Sequence, residues 1–463
     1  MLSDVSISRI LQAALSHGGD FSEVYIERAK RSSVSLLNRV VERTSSLIDS
    51  GIGIRILEGD KCVYVYSNDL WNEDKLIRMA KEASASLKEV PDGKTVYLRP
   101  CIEYFSQRYE ISPTSVSKAS RIDKLRHASE TAMNYSSLIS QTSASTADIE
   151  KNVWIANSDG LYVSDHRCRT RIMFESIASS GNSKETGYMG PGSGEGFEFF
   201  ERYDLDATAI ETARVATTML EAKPCPSGKM PVVISNGFGG VIFHEACGHA
   251  LEATSVGIKA SCFTDMQGKQ IASSIVNAYD DAKIAKEWGS YEVDDEGTPS
   301  TTNLLIKDGI LNSYLIDKIG SRRMGMPSTG CARRESYLYA PTSRMSNTFI
   351  APGSSTPTEI ISDTENGLFC AKMGGGSVDT ATGEFNFSVS EAYIIRNGKV
   401  CEPVKGATLV GKGNEVLLNI DRVGNDLALS QGMCGSESGS IPVDVGQPTI
   451  RVSEITVGGQ MSE

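Results

Sequence analysis

The chain has 463 residues, 40% of them hydrophobic and 22% charged, and carries a formal net charge of −12. This is the composition of a globular protein long enough for two large domains or three ordinary ones, and its acidity, with no Lys/Arg-rich run to offset it, excludes a nucleic-acid polyanion as the main partner. No apolar run approaches the ~18 residues that span a bilayer, and the opening MLSDVSISRILQAALSHGGD lacks the basic start and unbroken apolar core of a secretory signal, so no membrane anchorage and a cytoplasmic location are expected.

In chain order, Ser3 or Asp4 caps a helix with Ile7, Ile10, Leu11, Ala14 and Leu15 on one side, ending at Gly18-Gly19. Short strand-like runs follow at VSLL from Val34, IGIRIL from Ile52 and CVYVY from Cys62, then a helix from about Asn72 to Leu87. Beyond Pro91 to Pro100 the order recurs. A helix from about Ser117 to Met133 precedes strands through KNVWIA and LYVSDHRCRTRIMFESIASS, which meet at Asn157-Ser158-Asp159-Gly160, and a helix from Ala207 to Glu221 closes the unit. Helix, meander, helix thus appears twice, a hint of duplicated topology without sequence identity behind it. The segment GPGSGEGFEFF from Gly190 reads as a loop and lacks the Lys-Ser/Thr ending of a phosphate-binding loop. Lys223-Pro224-Cys225-Pro226-Ser227-Gly228 marks a boundary, giving domains 1–222 and 223–463. After it come a strand MPVVIS, a turn NGFGG, a helix VIFHEACGHALEA, and short strands with turn signals: NLLI, Lys307-Asp308-Gly309, ILNSYLI, and EAYIIR, Asn397-Gly398, KVCEPV. The expected fold class is α+β, an N-terminal α/β domain of helices and antiparallel strands followed by a β-rich, barrel-like domain carrying the motif helix.

The chemistry concentrates in His244-Glu245-Ala246-Cys247-Gly248-His249, which holds two of the chain's five histidines. Imidazole is the usual protein ligand of zinc, and a Glu directly after the first ligand is where helical metalloproteases keep their general base. The common spacing has one residue fewer. On a regular helix residues four apart lie about 40° apart around the axis and residues five apart about 140°, which would aim the rings in different directions. A single wide π turn absorbs the extra residue and lets the rings converge, and Gly248 is expected to ease it.

A zinc hydrolase usually takes three protein ligands and leaves one position for water. By chemistry alone the third is open among Cys434, flanked by glycines in Gln431-Gly432-Met433-Cys434-Gly435, Cys247, His166 and downstream acids such as Glu252. His166 is expected to be exposed. The ten cysteines form no CxxC pair and fit reduced thiols, mostly small buried hydrophobes. Asp294-Asp295-Glu296-Gly297 lacks the alternating spacing of a calcium loop and reads as a solvated or hydrogen-bonded turn. Arg333-Arg334 and Arg344 could clamp a carboxylate but read first as surface or interdomain ion pairs. Gly374-Gly375-Gly376-Ser377 reads as a turn where backbones approach closely.

Through HEACGHALEA at His244, WGSYEVDDEGTP at Trp288, LIKDGILNSYLID at Leu305, RRESY at Arg333, RMSNTFI at Arg344, MGGGSVDTATGEFNFSVSEAY at Met373, PVKGATL at Pro403, VGNDL at Val423, and GMCG followed by IPVDVGQPTIRVSEITVGG, the chain resembles the TldD subfamily of the TldD/PmbA proteins. The resemblance implies a zinc-dependent peptidase with Zn²⁺ held by His244, His249 and Cys434, and with Glu245 as the catalytic base. It also implies peptide or unfolded-protein substrates taken into an enclosed cleft, and a dimer, either of two copies or with a TldE/PmbA-like paralogue that lacks the metal motif. A competing reading from another class is a peptide-binding, chaperone-like subunit whose metal is structural; it has no need of Glu245.

Overall fold

The structure is a computed structural model describing residues 2–87 and 95–459. Its N-terminal half is built on one eight-stranded sheet. Helix Asp4–Ala14 begins where the Ser3 hydroxyl accepts the Ser6 N–H, and it buries Ile7, Ile10, Leu11 and Ala14. Three strands follow, Phe21–Leu37, Val40–Glu58 and Lys61–Ser67, then helix Glu73–Ser84 with Asn72 as its cap. The second unit repeats this order with helix Lys118–Tyr135, strands Ile139–Asn157, Tyr162–Ser180 and Ser183–Met189, and helix Leu205–Glu221. The first strands of the two units pair antiparallel from Glu23 opposite Asn157 to Leu37 opposite Ser143, which fuses both meanders into a single sheet.

The strands are far longer than the short runs VSLL and IGIRIL suggest. The hairpin between the first two turns on Asn38 and Arg39, with φ of 47° and 70°, the two left-handed residues of a two-residue hairpin. Between the apolar ends at Val34 to Val41 and the apolar run from Ile52, the strands carry mainly polar stretches, Glu27 to Ser33 and Glu42 to Ser46, so hydrophobic patterning fades while the pairing continues. The Gly190 segment also departs from a plain loop. Gly192–Ser193 adds a short strand, and helix Phe197–Arg202 buries Phe197, Phe199 and Phe200 in the core beneath the second unit.

In the C-terminal half, strands Asn366–Val378, Gly228–Ile234, Ile450–Gly458, Thr408–Lys412 and Glu384–Arg396 pair in that order, and the last pairs back on the first, closing a five-stranded barrel. Gly374 to Ser377 are not a turn but a bulged stretch of the first of these strands. A Cβ on Gly376 would lie 2.2 Å from the Asn386 carbonyl oxygen, so close backbone approach accounts for the glycine. Asn397-Gly398 makes the expected tight turn, with φ of 48° and 69°. In the stretch ILNSYLI only Ile310–Leu311 is strand. A six-stranded sheet ends on strand Ala428–Ser436, which pairs on one side alone, with Gly439–Gln447. The motif segment lies between barrel and sheet, its Phe243, Ala246, Ala250 and Leu251 buried in the same core as Phe385, Phe387 and Leu409.

The seam between the halves is a buried ionic network. Arg55 bonds Glu23 and Glu296 at 2.7 Å each, Arg334 bonds the other oxygen of Glu23 at 2.6 Å, and Arg167 bonds Asp165 at 2.7 Å and Asp295 at 2.6 Å. The Arg334 guanidinium also lies 4.2 Å over the Tyr25 ring. Asp294, Asp295 and Glu296 are therefore not solvated: all three are buried. Asp294 accepts the backbone N–H groups of Glu296, Thr298 and Ala332. Arg333 and Arg334 are likewise buried rather than on the surface, and of the two it is Arg334 that makes the interdomain ion pair, with Glu23.

Candidate metal centre

The segment around His244 changes winding twice. Val241–Phe243 is α-helical, His244–Gly248 is one π turn closed by the His249 N–H on the His244 carbonyl, and His249–Leu251 is a 3₁₀ turn. The π turn takes up the residue by which this motif exceeds the common spacing, and it brings the two rings to 5.0 Å between centroids at 84°. Gly248 does not serve that distortion. Its φ is −53°, ordinary for any residue, but a Cβ there would sit 2.1 Å from the Met345 sulfur. Glycine at this position makes room for Met345.

Cys434 arrives from strand Ala428–Ser436, opposite Ile441 across the hairpin. Arg344, fully buried, holds that hairpin in place by donating to the Cys434 carbonyl at 2.6 Å, to the Ser438 hydroxyl at 2.9 Å and to the Gly439 carbonyl at 3.1 Å. The Cys434 sulfur lies 3.3 Å from His244 Nε2 and 3.1 Å from His249 Nε2. One ligand atom from each of the three residues falls within 4.8 Å of the others. Burial alone would raise the Cys434 thiol, but the two imidazoles in bonding reach overcome it and bring the pKa down to about 3. Burial works to lower the His249 pKa, yet the Glu252 carboxylate and Cys434 hold it well above the usual imidazole value. Two ring nitrogens and a sulfur with thiolate character facing one point form a donor set suited to a soft divalent cation.

Glu252 stands at the other nitrogen of the same ring, its Oε2 accepting from His249 Nδ1 at 3.1 Å. This is the carboxylate–histidine arrangement that orients a metal ligand, so the structure places Glu252 behind the ring rather than in the ligand set. Its second oxygen sits 3.8 Å from Arg344 Nε. Glu245 lies with Oε2 3.8 Å from His249 Nε2 and lines a cleft of about 530 Å³ together with His249, Cys434, Gly376, Met433 and Glu437. The remaining candidates fall elsewhere. Cys247 is buried in the apolar core, its thiol pushed well up by burial. His166 is half-buried, not exposed, with Nδ1 2.8 Å from Asn152 Oδ1 in the N-terminal sheet. The positioning roles of Glu252 and Arg344 toward this site are features that motif spacing does not carry.

The sequence patterns described as the PmbA/TldA metallopeptidase domain 1, central domain and C-terminal domain match residues 22–87, 111–220 and 227–459. A metalloprotease TldD homolog of Haemophilus influenzae is 37% identical, over 95% of this chain and 93% of the relative. The chain belongs to the TldD/PmbA metallopeptidase family. Other TldD/PmbA relatives include a metalloprotease TldD homolog of Buchnera aphidicola subsp. Acyrthosiphon pisum, 34% identical over 99% of this chain and 96% of its own length, and a metalloprotease of Methanocaldococcus jannaschii, 32% identical over 97% and 99%. Among solved structures, TldE from Thermococcus kodakarensis shares the TldD/PmbA fold at a TM-score of 0.76 and 17% identity, covering 98% of this chain and 100% of that one. None of the described helices is long and apolar enough to cross a membrane.

Proposed function

We propose that the chain is a zinc-dependent peptidase that hydrolyses unfolded or short polypeptides in the cleft beside His249, with Glu245 as general base. The observation that carries this reading is the meeting of His244 Nε2, His249 Nε2 and the Cys434 sulfur beside a cleft-facing carboxylate. Three protein ligands with one position left open are the pattern of catalytic rather than structural zinc. Held by His244, His249 and Cys434, the ion would supply a Lewis acid that polarises the scissile carbonyl and acidifies a water.

The other steps belong to the chain. Glu245 takes the proton of the attacking water and returns it to the leaving amine. Glu252 fixes the plane of His249 from behind, and Arg344 fixes the strand that carries Cys434. A thiolate gives a cation more charge than a third imidazole would, which tempers its acidity and fits a slow, unselective enzyme. Two strand edges line the cleft, Gly376 to Val378 and Met433 to Ser436. An extended chain pairing with either gains main-chain bonds with little demand on its side chains, whereas a folded protein cannot offer a free strand.

In this reading residues 223–463 form the metal-bearing unit and residues 1–222 its cover. The working form is a dimer of two copies or a pair with a TldE-like paralogue. A partner surface is supported by strand Val40–Glu58, whose neighbour Lys61–Ser67 reaches only to Ile52 and which leaves Val40, Leu47 and Ile48 exposed. The deciding experiment is Glu245→Gln with metal content by elemental analysis and cleavage of an unstructured peptide. Loss of general-base catalysis lowers the rate by about 10²–10⁴-fold with the metal retained. Cleavage at the wild-type rate by a metal-loaded variant removes Glu245 from the mechanism, and a fully loaded wild type that binds peptides but never cuts them leaves a binding subunit with a structural metal.

A further inference from the structure

A second cavity, of about 470 Å³, lies between the N-terminal sheet and the C-terminal half, and Met433, next to Cys434, lines both it and the metal cleft. Its walls hold an excess of cations with no acid to answer them. Arg169 is buried, yet donates only to the carbonyls of Trp288 at 2.7 Å and Ser290 at 3.1 Å. Arg333 is buried and donates only to the carbonyls of Met345 and Pro442. Arg171 lies over the Trp288 ring at 5.4 Å and reaches the Gln431 carbonyl at 3.4 Å. Among the described residues none of these three guanidinium groups has a carboxylate within ion-pair distance.

The acids on the same walls are already engaged. Asp148 is bonded to Arg121, and Asp295 to Arg167. Asp294 accepts three backbone N–H groups, and Glu335 accepts the Ser440 N–H at 2.7 Å. Burial, then the charges of Arg333 and Arg167, lower the Arg169 pKa to about 9, and burial likewise lowers that of Arg333. Crowded, desolvated guanidinium groups of this kind are relieved by an anion, and their planar forks match a carboxylate. The strand joining the two sites sets the distance, because Gln431, beside Arg171, precedes Cys434 by three positions, about 10 Å at ~3.3 Å per residue.

We infer that this cavity is an anion subsite of the cleft, taking a carboxylate carried by the substrate chain about three residues from the bond presented at Cys434. The inference rests on the peptidase reading for its substrate and adds a preference to it: an acidic side chain or a free C-terminus at one fixed distance, on an otherwise unselective edge. A folded-state role for the same arginines would give no such register.

The test uses the full-length protein with any subunit that accompanies it, and unstructured peptides differing only in Glu or Gln at each position within four residues of the cleaved bond, with free or amidated C-termini. One Glu position, or the free C-terminus, should raise kcat/KM about tenfold through KM, the size of one charge-assisted hydrogen bond. Arg169→Gln, and Arg171→Gln on a less buried side chain, should each bring that ratio toward one. Equal cleavage of every Glu and Gln pair with either terminus, or a ratio untouched in both folded variants, overturns the subsite. Equilibrium binding of the same peptides to the Glu245→Gln protein reads the preference without turnover. If wild type cuts nothing but that binding still favours one carboxylate position, the peptidase reading fails and the subsite stands.

Discussion

Two of the buried polar clusters among the described residues are built on opposite principles. At the seam, each of Arg55, Arg334 and Arg167 meets acids of opposite charge, Glu23, Asp295, Glu296 and Asp165, and several remaining oxygens take backbone N–H groups. At the cleft, two imidazole nitrogens and a sulfur crowd around one point while the nearest carboxylates, Glu245 and Glu252, stand to the side and behind. A network in which each charge meets an opposite one holds two halves in register. A set of electron-pair donors aimed at one another is stable only with protons or a cation between them, and that openness marks chemistry.

The sharpest way to separate the two is to strip the metal. Without it, Cys434 should behave as a thiolate paired with imidazolium, because its pKa is depressed to about 3. A group depressed in this way stays ionised at every pH above that value. Alkylation of Cys434 by iodoacetamide in chelated protein should therefore change little between pH 8 and pH 5, where an ordinary thiol slows by about a thousandfold. Added zinc should protect it. An alkylation rate that falls tenfold per pH unit through this range would remove the thiolate from the site.

The seam should respond differently. Glu23→Gln leaves Arg55 and Arg334 short of a buried counter-charge at 2.7 and 2.6 Å, which costs about 3–5 kcal/mol of folding stability. Urea denaturation should show that loss while metal content per folded molecule is unchanged. A stability loss under 1 kcal/mol would mean that the seam is not the closed network described here.

The contrast between the clusters also explains what the sequence reveals and what it conceals. The π turn follows from local spacing, since two histidines five positions apart on one helix, His244 and His249, have few other ways to converge. Helix caps at Ser3 and Asn72 and the turn at Asn397-Gly398 are equally local. The seam is not: Glu296 reads as part of a solvated or hydrogen-bonded turn and not as half of a buried ion pair, because its partner Arg55 lies 241 positions earlier and no pattern near either residue announces the other. The long N-terminal strands hide for a related reason, as their outer halves pair through backbone while carrying polar side chains. The approach of Cys434 to the histidines follows from the family resemblance, not from spacing, and Glu252 reads as a possible ligand because sequence cannot say which ring nitrogen it faces.

That last distinction gives a smaller effect. If Glu252 orients His249 through Nδ1, then Glu252→Gln keeps the ligands and loses only their support, and metal affinity measured against a competing chelator should fall by about 10–100-fold. Loss of all metal would move Glu252 into the ligand set. Unchanged affinity would mean that the ring is held by packing alone.

The smallest effect belongs to the rim of the seam. Arg322 bonds Asp20 across the halves at 2.7 Å, the same distance as the Arg55 pairs at the centre, but the two side chains are 29% and 43% exposed. Water already solvates both charges, and salt screens their attraction, so Arg322→Ala should cost no more than about 1 kcal/mol and less still at high ionic strength. Set beside Glu23→Gln in the same denaturation series, the pair tests whether burial or distance decides the worth of an ion pair here. Equal losses at rim and centre would make distance the rule and would undo the comparison between a closed seam and an open cleft.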